Sequence, residues 1–289
     1  MFGVVVVGIG IAGRVRIRDM LTPLPGTPAE KLTVKGFISR RSLDTQEGVS
    51  QISAEETVNR EDIHVVFICT ENASHEDSIR TFLQAGKHVC VEYPMTMNYK
   101  AAVELWDLAE EKGLILHEEH IELLTEEYQA LKREVEGKSL QDGTLHFTGG
   151  PLKRGFGFPS FTGIARLTWL VELFGELSAT AATMEEDTSN NYSKMTAKLL
   201  TSDNKPLTWI EERRPGLPRA KNINFHFDSC TMTQMPPAAR GTVGIFMQDM
   251  INFSAKLAGQ VSPEEVQREK IRILFCLKLA EKIQELCQT

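Results

Sequence analysis

Across residues 1–120, short apolar runs alternate with longer stretches of helical periodicity. FGVVVVG at 2–8, TVKGFI at 33–38, IHVVFICT at 63–70 and HVCVEYP at 88–94 read as strands. The stretches at 11–21, from Ser53, from Ser74 and over about 101–112 read as helices, and LILHEEH at 114–120 follows Gly113 as a last strand. Strands that are apolar on both faces and alternate with helices predict a parallel sheet covered on both sides. Ser53 with Glu56, and Ser74 with Asp77, have the spacing at which a hydroxyl accepts from a first-turn amide, so both serines are expected to cap helices. Gly86 closes the second of these helices.

Beyond residue 122 the rhythm changes. LHFTGG at 145–150, LSATAATME at 177–185, YSKMTAKLLT at 192–201, PLTWIEE at 206–212 and NINFHFDS at 222–229 are strands with little helix between them. One exception, IARLTWLVELF at 164–174, is apolar on nearly every face and predicts a helix buried against the sheet. Helical patterns return at 243–257 and 264–286, the last opened by Ser262 as cap and Pro263 at the first helical position. The expected organisation is α/β: an N-terminal dinucleotide-binding domain over residues 1–122, then an α+β domain over 123–289 with a large, mostly antiparallel sheet.

With 42% apolar and 25% charged residues the chain is an ordinary globular one, and its longest apolar runs fall far short of a bilayer span. No secretion signal is visible at Met1, so no membrane attachment is expected. A formal charge of −7 makes nucleic acid a poor partner. Five cysteines without a C-x-x-C pair fit a reducing, cytoplasmic setting rather than a disulfide framework, and Cys69 and Cys90 lie inside strand patterns as buried hydrophobes.

Gly8-Ile9-Gly10-Ile11-Ala12-Gly13 is G-x-G-x-x-G between the first strand and the first helix. Gly8 permits the tight turn, Gly10 lets the backbone approach a pyrophosphate, and Gly13 lets the helix pack on the strand, with the helix N-terminus facing the anion. The second strand ends in Ser39-Arg40-Arg41 where an NAD-selective site would carry a carboxylate. Two guanidiniums can pair with a 2′-phosphate, so the expected cofactor is NADPH, with NADH tolerated.

TENASH at 70–75, followed by AGKHVCVEYP at 85–94, resembles the glucose-fructose oxidoreductase and inositol dehydrogenase superfamily. That resemblance implies cofactor contacts for Thr70, Glu71, Asn72 and His75, and a catalytic lysine before Pro94. Tyr93 stands there instead, and the superfamily's acid and histidine or tyrosine positions hold Phe161, Ala165 and Thr168. A polyol oxidase needs a base for its hydroxyl proton, so a sugar or polyol dehydrogenase becomes the alternative reading. A non-catalytic NADPH-sensing regulator is a second alternative.

Eight ordered segments resemble the biliverdin reductase A family along essentially the whole chain: FGVVVVG, GFISRR, SHEDSIRTFLQAGKHV, VEYPMT, LHEEHIELL, FGFPSF, ARLTWLVELFGELS and LTWIEE. The resemblance implies reduction of biliverdin IXα to bilirubin IXα, with hydride going to the C10 methine, by a monomer. It implies catalytic roles for Tyr93, Glu92 and Arg166, with Glu92 also near the nicotinamide ribose. Substrate contacts are implied for Tyr93, Glu119, Glu122, Phe158, Arg166, Arg219 and Lys221.

Arg166 is also conspicuous chemically, since one charge inside an apolar helix must face a ligand or a carboxylate such as Glu172 or Glu176. Residues 153–159 (KRGFGFP), with Arg154 among them, read as a lid, and Arg213 and Arg214 as further partners for propionates. His117, Glu118, Glu119, His120 and Glu122 lack the H-E-x-x-H spacing, and no metal is expected. His64, His88, His146 and His226 are expected to be structural.

Overall fold

The computed structural model describes residues 1–153, 155–239 and 241–288. In chain order, the first elements are β1 (Phe2–Val7), α1 (Ile11–Leu21), β2 (Leu32–Ile38), β3 (Thr45–Gln46), β4 (Val49–Ser50), α2 (Ala54–Asn59), β5 (Val65–Ile68), α3 (His75–Gln84), β6 (His88–Val91), α4 (Tyr99–Glu111) and β7 (Leu116–Glu118). There follow α5 (Glu126–Val135), β8 (Leu140–Gly149), α6 (Pro159–Thr162), α7 (Ile164–Phe174), β9 (Leu177–Asp187), β10 (Tyr192–Thr201), β11 (Pro206–Arg213), β12 (Ala220–Phe227), β13 (Thr231–Met232), α8 (Ile245–Leu257) and α9 (Pro263–Gln288).

Two compact units result. The first contains residues 1–96, 100–124 and 241–270; the second contains 97–99, 125–240 and 271–289. A single cut after residue 122 therefore does not describe the chain, because 241–270 belongs with the N-terminal strands. The physical reason is the buried stripe of α8, where Asp249, Met250, Phe253 and Ser254 recur at helical spacing. Phe253 meets Phe67 of β5 edge-on at 5.3 Å, and Met250 and Phe253 share the apolar cluster of Val4, Val6, Ile17 and Phe37.

The sheet of the first unit is parallel throughout, in the order β2-β1-β5-β6-β7. Of its central strands, β5 is buried along its whole length and β1 throughout except at Phe2, which is why both are valine-rich apolar runs rather than alternating ones. Ser53 caps α2 by accepting from the Glu56 amide at 2.9 Å. Ser74 does not cap α3. A 3-10 turn over Asn72–Ser74 places it in a helical conformation, and its hydroxyl donates to the Glu71 carbonyl (2.9 Å) and is hydrogen-bonded to Thr70 Oγ1 (2.7 Å).

The second unit holds a sheet in the order β13-β12-β8-β11-β10-β9. Its pairs are antiparallel except β8 with β11 at the centre. The first seven residues of α7 are all buried, as the apolar pattern predicts. A Cβ on Gly163, just before that helix, would stand 2.6 Å from the Trp209 ring and 2.7 Å from the Glu211 carboxylate of β11. Only glycine admits so close an approach of helix and sheet.

Truncating Phe253 to Ala is expected to cost roughly 3–5 kcal/mol of stability, the range for deleting a buried aromatic ring. Chemical denaturation monitored by tryptophan fluorescence and circular dichroism measures it.

Candidate active site

The glycine motif is divided by geometry. A Cβ on Gly13 would stand 1.9 Å from the Gly8 carbonyl oxygen, and one on Gly8, where φ is +92°, would stand 2.5 Å from the Cys69 carbonyl oxygen. Both glycines are demanded by the fold. Gly10 differs: its φ of −81° suits any residue, and a Cβ there meets nothing within 4 Å. No protein contact requires glycine at this point, and the open space lies at the N-terminus of α1, whose first amides have no side-chain cap and no acidic neighbour. Unpaired amides at a positive helix end suit a pyrophosphate. Ile11 beside it is 87% exposed and Ala12 is half-buried, so this loop fits a bound dinucleotide.

The turn after β2 carries the residues expected to meet a 2′-phosphate. Ser39 Oγ accepts from the Arg41 amide at 3.1 Å, which shapes the turn, while both arginines remain exposed. Arg40 reaches across to Glu71, in the loop after β5, at 2.6 Å. That cation is ready for a phosphate but is shared with Glu71. Asn72 is buried. His75 is fully buried, with Nδ1 2.8 Å from the Pro94 carbonyl and Nε2 3.1 Å from the Thr70 carbonyl. Burial holds it neutral. Its ring ties together the loops that carry Thr70 and Pro94.

At the ends of β6 and β7 the chain gathers carboxyl groups. Glu92 is half-buried with one carboxylate oxygen, Oε1, enclosed and without a hydrogen-bond partner; burial raises it to about 7. Tyr93 follows, joined to Pro94 by a cis peptide bond and stacked on His120 at 6.2 Å with the ring planes 9° apart. Glu118 holds this turn: one oxygen accepts from the Met95 amide at 2.6 Å and the other lies 2.8 Å from His120 Nε2. Glu119 is buried against Arg16, and Glu122 is buried in the following 3-10 turn.

Cys90, His117 and Asp249 place ligand-type atoms within 4.8 Å of one another. The His117 nitrogens are already engaged by Lys256 at 2.8 Å and Asp249 at 3.0 Å, and Arg16 binds Asp249 as well. Two cations beside the cluster make it an ion-pair core.

In the second unit Arg166 is buried and forked onto Glu211, Nε to Oε1 at 2.8 Å and Nη2 to Oε2 at 3.0 Å. Its partner is therefore Glu211 of β11 and neither Glu172 nor Glu176; Glu172 pairs instead with Arg272 and Lys132. Arg213 shares Glu211 at 3.0 Å, and Trp209 Nε1 donates to it at 3.1 Å. The guanidiniums of Arg166, Arg213 and Arg219 lie 4.2, 4.5 and 5.7 Å from the centre of the Phe147 ring, within cation–π range. Lys221 bonds Glu127 at 2.7 Å and lies 4.5 Å from the Trp169 ring centre.

Phe158 precedes α6 and is half-buried. Gly155 and Gly157 have positive φ in the predicted lid, whose Arg154 lies outside the described residues. His64 and His88 accept from the amides of Gly3 and Ile115, and His146 and His226 pair with Glu212 and Asp142.

Arg16, Asp249 and Glu211 were not marked by motif reasoning, and Glu118 only as part of a metal pattern that the spacing rejects. Periodicity carries a signal for Arg16, Asp249 and Glu211, the last through the alternation of β11. Gly13, Arg16, Ile17 and Met20 form the buried stripe of α1, and Asp249 sits in that of α8, so each charge occupies a position reserved for an apolar residue.

Residues 2–120 match the model of an oxidoreductase family with an NAD-binding Rossmann fold, and residues 128–239 match that of the biliverdin reductase catalytic domain. Human biliverdin reductase A is 53% identical over 287 residues, 99% of this chain and 96% of that protein. The chain belongs to the biliverdin reductase A family. It is thereby an NAD(P)H-dependent oxidoreductase. The fold alone does not single out this family. A Synechocystis biliverdin reductase, solved with biliverdin and NADP+, matches with a TM-score of 0.79 at 21% identity, covering 99% of both chains. A myo-inositol 2-dehydrogenase from Lactobacillus plantarum matches with 0.80 at 14%, covering 99% of this chain and 97% of that one. Among the described residues no helix is long and apolar enough to cross a membrane.

Replacing Gly10 by Ala is expected to leave the melting temperature within about 2 °C of the parent while weakening NADP(H) binding about tenfold or more, since the added methyl occupies only ligand space. Gly13→Ala should destabilise the fold itself. Differential scanning calorimetry and cofactor fluorescence titration separate the two.

Proposed function

We propose that this chain reduces biliverdin IXα to bilirubin IXα with NADPH, tolerating NADH, as a monomeric cytoplasmic enzyme. The observation that carries this reading is the turn at Glu92-Tyr93-Pro94. It presents a phenol and a raised carboxyl group where a polyol dehydrogenase would present an amine, which suits hydride donation to a conjugated acceptor and not removal of a hydroxyl proton. NADPH, when bound, supplies the hydride. Gly10 and the first amides of α1 would hold its pyrophosphate, Arg40 and Arg41 its 2′-phosphate, and Glu92 and Tyr93 would serve its nicotinamide half.

Tyr93 orients the pigment through its phenol, by hydrogen bonding and stacking. Arg166, locked on Glu211, keeps its charge and holds the Phe147 platform, which makes it an electrostatic anchor and not a proton donor. Arg213 and Arg219 on the same ring receive the propionates, with Phe158 adding apolar contact. Lys221, committed to Glu127, and the buried Glu119 and Glu122 shape the surroundings. Five free cysteines accord with a reducing compartment.

Incubation with NADPH and biliverdin should convert the red-absorbing pigment to a blue-absorbing one, while NADP+ with myo-inositol or glucose gives no reduction. Brisk polyol oxidation with the green pigment left untouched would sink this reading, and so would binding of both ligands without turnover. Tyr93→Phe should lower kcat/KM by less than about tenfold, as loss of one orienting hydrogen bond does. Arg219→Ala should raise KM for biliverdin and leave kcat nearly unchanged.

A further inference from the structure

A continuous strip of buried ionisable groups runs through the first unit to the C-terminal edge of its sheet. It starts at Lys256 of α8, which pairs with Glu269 and donates to His117 Nδ1 at 2.8 Å. His117 Nε2 in turn donates to Asp249 Oδ1 at 3.0 Å. This is the pattern of a neutral imidazole, and burial together with the Lys256 charge holds His117 below its usual range. Asp249 Oδ2 accepts from Arg16 Nη2 at 2.5 Å, and the same nitrogen binds Glu119. The Glu119 amide donates to the Val91 carbonyl (2.9 Å), and the Glu92 amide to the Ile68 carbonyl (3.1 Å). The two glutamates therefore leave neighbouring strand ends side by side.

The charges along this strip do not balance. Lys256 is matched by Glu269, which leaves Arg16 facing Asp249, Glu119 and Glu92. Burial opposes ionisation of Asp249, but Arg16 and His117 outweigh it and keep that carboxylate charged. Arg16 is then spent, and two carboxyl groups remain. Burial pushes both up, Glu119 well above its usual range and Glu92 to about 7, against the pull of Arg16. The other titratable groups around them are Cys69 and Cys90, kept as thiols by burial, the buried His75, Tyr93, and the Glu118–His120 pair on the adjoining turn.

Sheet order fixes what lies above these two acids. A dinucleotide with its pyrophosphate at α1 after β1 and its adenosine half over β2 would place its nicotinamide half over β5 and β6, where Glu92 emerges.

We propose that Glu92 and Glu119, as a pair, carry one exchangeable proton while the cofactor is reduced and release it as the nicotinamide ring beside them becomes cationic, with Arg16 and Asp249 as the positioning residues that keep it there. This rests on the cofactor reading above. The atoms balance. The C4–H bond breaks and its electron pair goes with hydrogen to the pigment's methine carbon. The ring left behind gains a positive charge that favours the ionised carboxylate, and the freed proton is the one the pigment's pyrrolic nitrogen takes up. The pair is refilled from solvent after NADP+ leaves.

Calorimetric titration of the whole protein with NADP+ and with NADPH, repeated in buffers of different ionisation enthalpy between pH 6 and 8, counts protons released on binding. The 2′-phosphate is common to both ligands and cancels in the difference. NADP+ should release more than NADPH, by about half a proton near pH 7. Glu92→Gln should abolish the difference. Asp249→Asn frees Arg16 for the glutamates and should move the release profile to lower pH by about one unit. Equal proton counts for the two ligands in the parent protein would overturn the proposal without needing any variant. A persisting difference in Glu92→Gln would overturn it too. Failure to bind either nucleotide would instead defeat the cofactor reading.

Discussion

The Arg16 guanidinium is the charge on which the first unit is assembled. It is 1% exposed, donates to Glu119, Asp249 and the Phe246 carbonyl, and lies over the rings of Phe67 and Phe246. One side chain thus joins the dinucleotide helix, the end of the last parallel strand and the returning helix α8. Removing one partner from such a buried pair costs about 3–5 kcal/mol, because the remaining charge has no water to turn to. An apolar replacement would pack as well, so the pair adds little net stability. What it adds is direction: α8 docks in one register, with Asp249 on Arg16, and the carboxyl groups at the sheet edge inherit their electrostatics from that choice.

The second unit uses the same device once more. Glu211 points inward at a position of β11 where alternation calls for an apolar side chain, and it is fully buried. It accepts from Arg166, Arg213 and Trp209 together, so its lone pairs are well used. The arginines it fixes are held over Phe147 by geometry and not by chance encounters of flexible surface chains. In both units a carboxylate within the core aims cations that the surface alone could not orient.

Much of this was legible in the sequence, for local reasons. The unbroken apolar runs of β1 and β5 announced a parallel sheet, the G-x-G-x-x-G turn announced a nucleotide, and IARLTWLVELF announced a buried helix with one misplaced charge. The partner of that charge was not legible, since Glu211 lies 45 residues away on a strand whose pairing is a tertiary matter. The cap at Ser74 was misread because a 3-10 turn precedes the helix, a local competition that spacing alone does not register. The return of 241–270 to the first unit was not legible for a similar cause. α8 looks like any amphipathic helix until its partners on β5 and α1 are known.

Because residues 241–270 complete the first unit, the whole of 125–240 is an insertion within it. During synthesis from the N-terminus, the five parallel strands emerge long before the helix that covers Phe67 and neutralises Arg16. The nucleotide-binding half must therefore wait, partly unsealed, while the second sheet is made, and chain connections of such long separation close slowly. A proteolytic nick within 125–240 would therefore part the five parallel strands from the helix that brings Asp249 to Arg16.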